Sequence, residues 1–127
     1  MKLRIKGNSL RLRLTRSEVE EFGRTGKVDE KVRFGTRPQG TFCYQIETTG
    51  SDDITASFLD GRITIYVPDR IADTWVKSEQ VGFEGRQIID EETELHILIE
   101  KDFVCLTPRE NEDQSDSYPH PNEVGFC

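Results

Sequence analysis

Apolar and polar residues alternate along most of the chain with a period of two, which is typical of half-buried β-strands. Near the N-terminus the apolar residues occupy odd positions before Gly7-Asn8 and even positions after it. One straight strand would therefore place its two apolar halves on opposite faces of a sheet. A two-residue hairpin turn at Gly7-Asn8 keeps them on one face and sets Ile5 opposite Leu10.

The same alternation predicts further strands over residues 27–35, 41–48, 54–59, 62–67 and 94–100, with short strands near 81–83 and 87–89. Asp60-Gly61 separates two of these runs and is one of the strongest short hairpin signals. Several of the connections are therefore expected to be tight turns between neighbouring antiparallel strands.

Two short segments have helical features instead. Thr15 and Glu18 are spaced as a capping box, in which each side chain accepts a hydrogen bond from a backbone N–H that the helix leaves free. The sequence predicts that this first helix ends at Gly23. A second helix is predicted to begin at Pro68-Asp69, with Asp69 as its N-cap and an apolar stripe that includes Trp75.

These elements predict an α+β fold, with a mostly antiparallel curved sheet or open barrel and two short helices. We expect one globular domain over residues 1–107, followed by an acidic C-terminal tail over 108–127 that is either packed or flexible. No internal repeat is evident. The predicted core comprises Leu3, Ile5, Leu10, Leu12, Leu14, Val19, Phe22, Phe42, Tyr44, Ile46, Phe58, Ile65, Trp75, Leu95, Ile97 and Ile99.

Charge is distributed unevenly in this chain of 127 residues with net charge −7. Residues 1–50 hold 11 basic and 6 acidic residues, whereas residues 51–127 hold 6 and 18. The negative total argues against general binding of nucleic acid, which depends on neutralising phosphates. One face of the first hairpin is nonetheless basic and is a candidate binding face, formed by Lys2, Arg4, Lys6, Arg11 and Arg13.

The predicted hairpin sets Arg4 opposite Arg11 and Lys2 opposite Arg13, and like charges directly opposite each other destabilise a strand pair. Acidic side chains should therefore lie nearby, with the segment of Asp90 to Glu94 as the candidate source. A basic face neutralised within the molecule is the preferred interpretation, and a binding surface for an anion or acidic partner is the alternative.

Common catalytic and nucleotide-binding motifs are missing from the sequence, including the glycine-rich phosphate loops and the HExxH zinc motif. A small enzyme would have to combine Cys43 or Cys105 with His96 as nucleophile and base. The spacing of these residues does not favour such a pair. A buried Cys43 and a surface or cross-strand His96 are the simpler interpretation.

The C-terminal tail holds the sharpest chemical candidate. Cys105, His120 and Cys127, with Asp116 or Asp113 as a fourth ligand, would satisfy a tetrahedral zinc ion. Structural zinc sites commonly supply ligands as close pairs, and no such pair exists here. A solvated or loosely docked tail without metal is therefore the preferred interpretation, with the zinc site and a redox pair of Cys105 and Cys127 as alternatives.

Location and partners follow only from general features. No apolar run approaches the ~20 residues that span a bilayer, and the N-terminus lacks the apolar segment of a signal peptide. We therefore expect a cytoplasmic protein with a protein or small-molecule partner. A homodimer that pairs the apolar strand over residues 94–100 with a second copy is a further possibility.

The opening MKLRIKGNSLRLRLTRSEVEEFG and an ending that combines EKDFVCL, acidic residues and YPHPN resemble a family of small bacterial single-domain proteins of unknown function. The resemblance implies a cytosolic single domain and implies no activity. Taken together, these observations predict a non-enzymatic binding domain, with a zinc protein as the alternative and a small Cys–His enzyme third.

Overall fold

The computed structural model describes residues 1–103. Over this range the elements are β1 (Lys2–Lys6), β2 (Ser9–Leu14), α1 (Arg16–Thr25), β3 (Lys27–Arg33), β4 (Thr41–Thr49), β5 (Thr55–Leu59), β6 (Arg62–Pro68), α2 (Asp69–Lys77), β7 (Gly82–Ile88) and β8 (Glu94–Lys101). A short 3-10 turn over Pro38–Gly40 precedes β4. The predicted α+β class with two short helices is confirmed, whereas the domain boundary at residue 107 lies outside the described residues.

The strands form two four-stranded sheets rather than one curved sheet or barrel, in the orders β1-β2-β8-β7 and β3-β4-β6-β5. Four strand pairs are antiparallel hairpins, but the central pairs β2–β8 and β4–β6 are parallel. The expectation of a mostly antiparallel single sheet is therefore only partly right. The helices account for the two sheets, because each one carries the chain from a hairpin in one sheet to a hairpin in the other.

The fold is built from two halves with the same topology. Elements β1-β2-α1-β3-β4 are repeated as β5-β6-α2-β7-β8, and exchanging the halves converts one sheet order into the other. Equivalent buried positions recur at a constant sequence separation, as in Leu12 and Ile65 or Ile46 and Ile99. Their pairing is also equivalent, because Leu12 lies opposite Ile99 and Ile65 lies opposite Ile46. The repeat is not evident in the sequence because the two halves share apolar positions rather than residue types.

The two helices pack against each other where the halves meet. Phe22 and Trp75 occupy equivalent positions and make an edge-to-face contact with ring centroids 6.2 Å apart. The next equivalent pair is Gly23 and Val76, and a Cβ atom added to Gly23 would lie 2.6 Å from Val76 Cγ1. Gly23 thus lies inside α1, where it permits close helix packing, and the prediction that it ends the helix is wrong.

The ends of the helices follow local sequence signals with two corrections. The predicted capping box of Thr15 and Glu18 is confirmed. Helix α1 ends at Gly26, whose φ of 78° is the left-handed conformation that glycine adopts readily. In α2 the N-cap is Pro68, so Asp69 is the first helical residue and not the predicted cap.

The predicted hairpin registers are confirmed. Ile5 lies opposite Leu10, and Arg4 lies opposite Arg11. Asp60 and Gly61 have φ values of 51° and 75°, as a type I′ turn requires.

Strand directions give the molecule two distinct ends. Strands β2 and β6 both run towards the helices, and the helices pack together at one end, which we call the helix end. The four hairpin connections then lie at the opposite end, which we call the hairpin end: Gly7-Asn8, residues 34–40, Asp60-Gly61 and residues 89–93.

The core between the sheets contains most of the predicted residues, either buried or partly buried. Ile5 and Phe58 are exceptions, because both are mainly exposed, and their assignment to the core is wrong. Strand β8 pairs with β2 on one side and β7 on the other, so the predicted dimer contact through residues 94–100 is also wrong. Neither α1 nor α2, the helices of residues 1–103, has the length and apolar character needed to cross a membrane.

Candidate interaction surface

Most of the predicted metal site falls outside the part of the chain that the structure describes. This applies to Cys105, Asp113, Asp116, His120 and Cys127. Within residues 1–103, no three His, Cys, Asp or Glu side chains form a group that could hold a metal ion. Zinc binding by the tail stays a prediction from the sequence.

Glu100 lies within the predicted basic face and pairs with its arginines. One Glu100 carboxylate oxygen accepts hydrogen bonds from Arg11 Nε at 2.5 Å and from Arg13 Nε at 3.0 Å. Strand pairing explains the contact, because β8 runs parallel to β2 and Arg13 lies directly opposite Glu100. The neutralising acid therefore comes from β8 rather than from the segment of Asp90 to Glu94.

The electrostatic effect of this cluster is visible at Glu100. Its side chain is only 16% exposed. Burial raises the pKa of Glu100, but the hydrogen bonds and positive charges of Arg11 and Arg13 outweigh burial and hold the pKa below its ordinary value. Two of the five basic residues thus take part in an internal ion-pair cluster that stabilises the sheet.

The other basic residues lie on β1, the edge strand of the same sheet. Lys2 Nζ is 3.3 Å from Asp102 Oδ2. Arg4 and Lys6 are exposed, and neither pairs with an acidic side chain of residues 1–103. The basic face is consequently divided, with its neutralised part on β2 and its remaining positive charge on β1, towards the hairpin end.

The structure separates the candidate nucleophile and base that it describes. Cys43 is buried on β4 and His96 is exposed on β8, so they belong to different sheets. Both lie on the face of their sheet that points away from the core, because neighbouring positions Ile97 and Tyr44 face it. His96 Nε2 instead lies 3.5 Å from Glu94 Oε2. Cys43 and His96 therefore do not form a catalytic pair.

The hairpin end carries an apolar surface that the sequence pattern did not predict. Nine large apolar side chains of residues 1–103 are exposed, and seven of them lie at this end with exposed fractions from 41% to 78%. They are Ile5, Val32, Phe34, Phe58, Leu59, Ile88 and Ile89. Clustered apolar surface of this kind marks interaction sites far more often than scattered single residues do.

The arrangement of these residues follows from the two-half topology. Ile5 lies opposite the buried Leu10, and Phe58 lies opposite the buried Ile63 at the equivalent position of the second half. Both therefore belong to the core-facing side of their sheets, but they lie at the ends of β1 and β5, next to the hairpin turns. The helices cover the apolar interior at the helix end, and no element of residues 1–103 covers it at the hairpin end.

Alternation could not reveal this surface, because a period of two identifies the face of a strand but not the depth of each residue along the core. A usable signal was present in the turns. Exposed aromatic residues directly beside tight turns, such as Phe34 and Phe58, are positioned where a strand leaves the core.

Charges at the hairpin end are separated into two corners. On one side, Met1, which precedes β1, lies beside β3, with its ammonium 3.2 Å from Glu30 Oε1. On the other side β5 packs against β7, where the Ala56 N–H donates to Gln87 Oε1 at 2.6 Å. We define residues 4–9 and 31–40 as the basic corner and residues 57–62 and 86–94 as the acidic corner.

The two corners differ strongly in charge. The basic corner contains five basic residues and no acidic ones: Arg4, Lys6, Lys31, Arg33 and Arg37. The acidic corner contains two basic residues, Arg62 and Arg86, and five acidic ones, Asp60, Asp90, Glu91, Glu92 and Glu94. The apolar residues of the hairpin end are thus divided between a basic corner and an acidic corner.

Nearly the whole chain matches one known protein family. The model of a family of unknown function, DUF7009, matches residues 1–122. The chain belongs to the DUF7009 family. No curated protein and no solved structure matches it. Membership agrees with the resemblance to a small single-domain family of unknown function that the two ends of the sequence suggested.

Two open grooves of this DUF7009 chain lie among residues 1–103. One of about 680 Å³ lies beside both helices and is lined by residues of both charges, such as Glu20 and Arg70. The other, of about 380 Å³, lies over Cys43 between Lys31 and Arg62. No buried side-chain nitrogen or oxygen of residues 1–103 lacks a hydrogen-bond partner, so neither groove contains a polar group aimed at a missing ligand. The hairpin end is the stronger candidate site in this part of the chain.

Proposed function

We propose that this protein is a non-enzymatic interaction domain of the bacterial cytoplasm that binds a macromolecular partner through its hairpin end. The observation that carries the proposal is that seven of the nine exposed large apolar side chains of residues 1–103 lie at that end. A small polar ligand would gain little from such a surface, whereas a protein partner would remove it from water.

The free energy available from covering this surface follows from the size of the side chains. An aromatic side chain can bury about 150–250 Å² in total. With 78% of Phe34 and 68% of Phe58 exposed, covering both offers roughly 5–9 kcal/mol at about 25 cal/mol per Å². Leaving that surface in water has no structural benefit for a single chain, which supports a role in binding.

The separation of Cys43 from His96 also supports binding rather than catalysis. The ion pairs of Glu100 give the arginines of β2 a structural role. The hairpin end is therefore a better candidate contact surface than the whole of the predicted basic face.

Site-specific photo-crosslinking tests the proposal and works even when the identity of the partner is unknown. The photoreactive residue p-benzoylphenylalanine would replace Phe34 or Phe58 in cells that naturally make the chain. Matched controls would carry it at Arg24 or Arg70, which are exposed on the helices. The proposal predicts discrete crosslinked species from the two hairpin-end positions and none from the controls. Equal or absent crosslinking at all four positions would contradict it.

A further inference from the structure

We propose that the partner of the hairpin end is a second copy of this chain, bound end to end around a twofold axis. The inference rests on the proposed function, because it takes the hairpin end to be the binding surface. It goes beyond it by identifying the occupant, which the distribution of charge around the apolar residues indicates.

A partner of the hairpin end must satisfy three regions at once. It must cover the apolar residues, present acidic groups to the basic corner and present basic groups to the acidic corner. Another copy of the same surface does all three when it is turned so that each basic corner faces an acidic corner.

The required operation is a simple one. Consider a twofold axis in the plane between two hairpin ends, perpendicular to the line that joins the two corners of each chain. This axis sets the turns of each sheet opposite the same sheet of the other chain. Arg4 and Lys6 of one chain then lie near Glu91 and Glu92 of the other, and the contact is repeated on the opposite side. Interfaces with twofold symmetry use the same patch on both subunits, so each favourable contact occurs twice.

The alternative orientation is disfavoured by the same charges. Superposing like corners would bring five basic residues onto five others. The charges therefore select one orientation, while the apolar side chains within both corners, including Phe34, Phe58 and Ile89, supply the buried area. The resulting dimer would have its helix ends facing outwards.

Charge reversal at each corner provides the test. One variant carries Lys6→Glu, Arg33→Glu and Arg37→Glu, and the other carries Glu91→Lys, Glu92→Lys and Glu94→Lys. All six side chains are exposed, and Asp60 and Asp90 are left unchanged because they shape their turns. A control with Arg16→Glu, Arg24→Glu and Arg70→Glu makes the charge change of the first variant on the exposed helices.

Sedimentation equilibrium would follow mass from about 1 to 200 μM, the range of micromolar affinities. We expect the wild type and the control to reach twice the 14.6 kDa chain mass. Each corner variant alone should bind itself at least ~100-fold more weakly, since attractive pairs become repulsive on both sides of the axis. An equimolar mixture of the two variants should dimerise again, because each altered corner then faces its complement.

Several results would overturn the inference. A wild type that stays monomeric throughout, corner variants that dimerise normally, or a mixture that does not recover would each contradict the charge-matched dimer. Recovery in the mixture also shows that both variants are folded. Photo-crosslinking separates this inference from the proposed function: crosslinks from Phe34 to a different protein would keep the surface and overturn the second copy, whereas crosslinks from none of the positions would overturn both.

Discussion

Replacing Glu100 with glutamine tests the claim that β8 neutralises the basic face of β2. The substitution keeps the shape of the side chain but removes the charge that accepts hydrogen bonds from Arg11 and Arg13 at 2.5 and 3.0 Å. Hydrogen bonds to charged groups contribute about 1.5–3 kcal/mol each, and the two here share one oxygen, so we expect a loss of about 2 kcal/mol. For a chain of this size the melting temperature should fall by roughly 6–10 °C.

The pH dependence of that loss makes the test more specific. Because the pKa of Glu100 is lowered in the folded protein, its contribution is present above the unfolded pKa of about 4.3 and is lost as pH falls through the folded pKa. The difference between wild type and Glu100→Gln should therefore be full at neutral pH and disappear under strongly acidic conditions.

Urea denaturation at several pH values measures both effects. Glu84→Gln is the matched control, because Glu84 lies on the neighbouring strand β7, on the same outward face, and is exposed. A loss for Glu100→Gln no larger than for Glu84→Gln, or a difference that persists in acid, would refute the assignment of Glu100 as the neutralising group.

Three further predictions concern other parts of the molecule. Gly23→Ala should destabilise the fold by about 1 kcal/mol, because its Cβ would lie 2.6 Å from Val76 Cγ1. In a Val76→Ala background Gly23→Ala should instead stabilise the fold by about 0.5–1 kcal/mol, since alanine is the better helix former. Thermal melts of the wild type, the two single variants and the double variant would show whether the sign of the effect reverses. Raising salt should weaken the proposed dimer but not abolish it, because salt screens the corner charges and leaves the apolar contacts. Sedimentation measures the dimer, and either complete dissociation or no change in its affinity would contradict this prediction. If the tail binds zinc, native mass spectrometry of the untagged chain should show one metal ion that is lost when residues 108–127 are removed.

Local features of the fold were predictable because their signals are local. The change of apolar parity at Gly7-Asn8 and the Asp60-Gly61 turn determined two hairpins, including the register of Ile5 with Leu10. The capping box of α1 was equally clear. In each case, residues close in sequence interact directly, so the pattern contains the necessary information.

The parallel pairs β2–β8 and β4–β6 had no comparable signal, because no turn joins the paired strands directly. Strands β2 and β8 are far apart in the sequence, and β5 lies between β4 and β6 in the chain. Gly23 shows a related limit. Its local sequence context indicates a helix stop, but its role depends on Val76, which lies far away in the sequence.

The candidate surface was missed for a further reason. Ile5 and Phe58 alternate with polar residues as core residues do, and only their position at the end of the sandwich exposes them. The basic corner was partly visible in Arg4 and Lys6, but its link to residues 31–40 depends on how the two sheets pack on a shared core.

Hydrogen exchange measured at two protein concentrations is the decisive test of the hairpin end as a self-association surface. Amides would be compared at about 1 and 200 μM, which brackets a micromolar dissociation constant. The charge-matched dimer predicts slower exchange at the higher concentration in the four hairpin connections, at residues 6–9, 34–40, 59–62 and 89–94, and no change in helices α1 and α2. Concentration-dependent protection in the helices, or no protection in the hairpin connections, would contradict it.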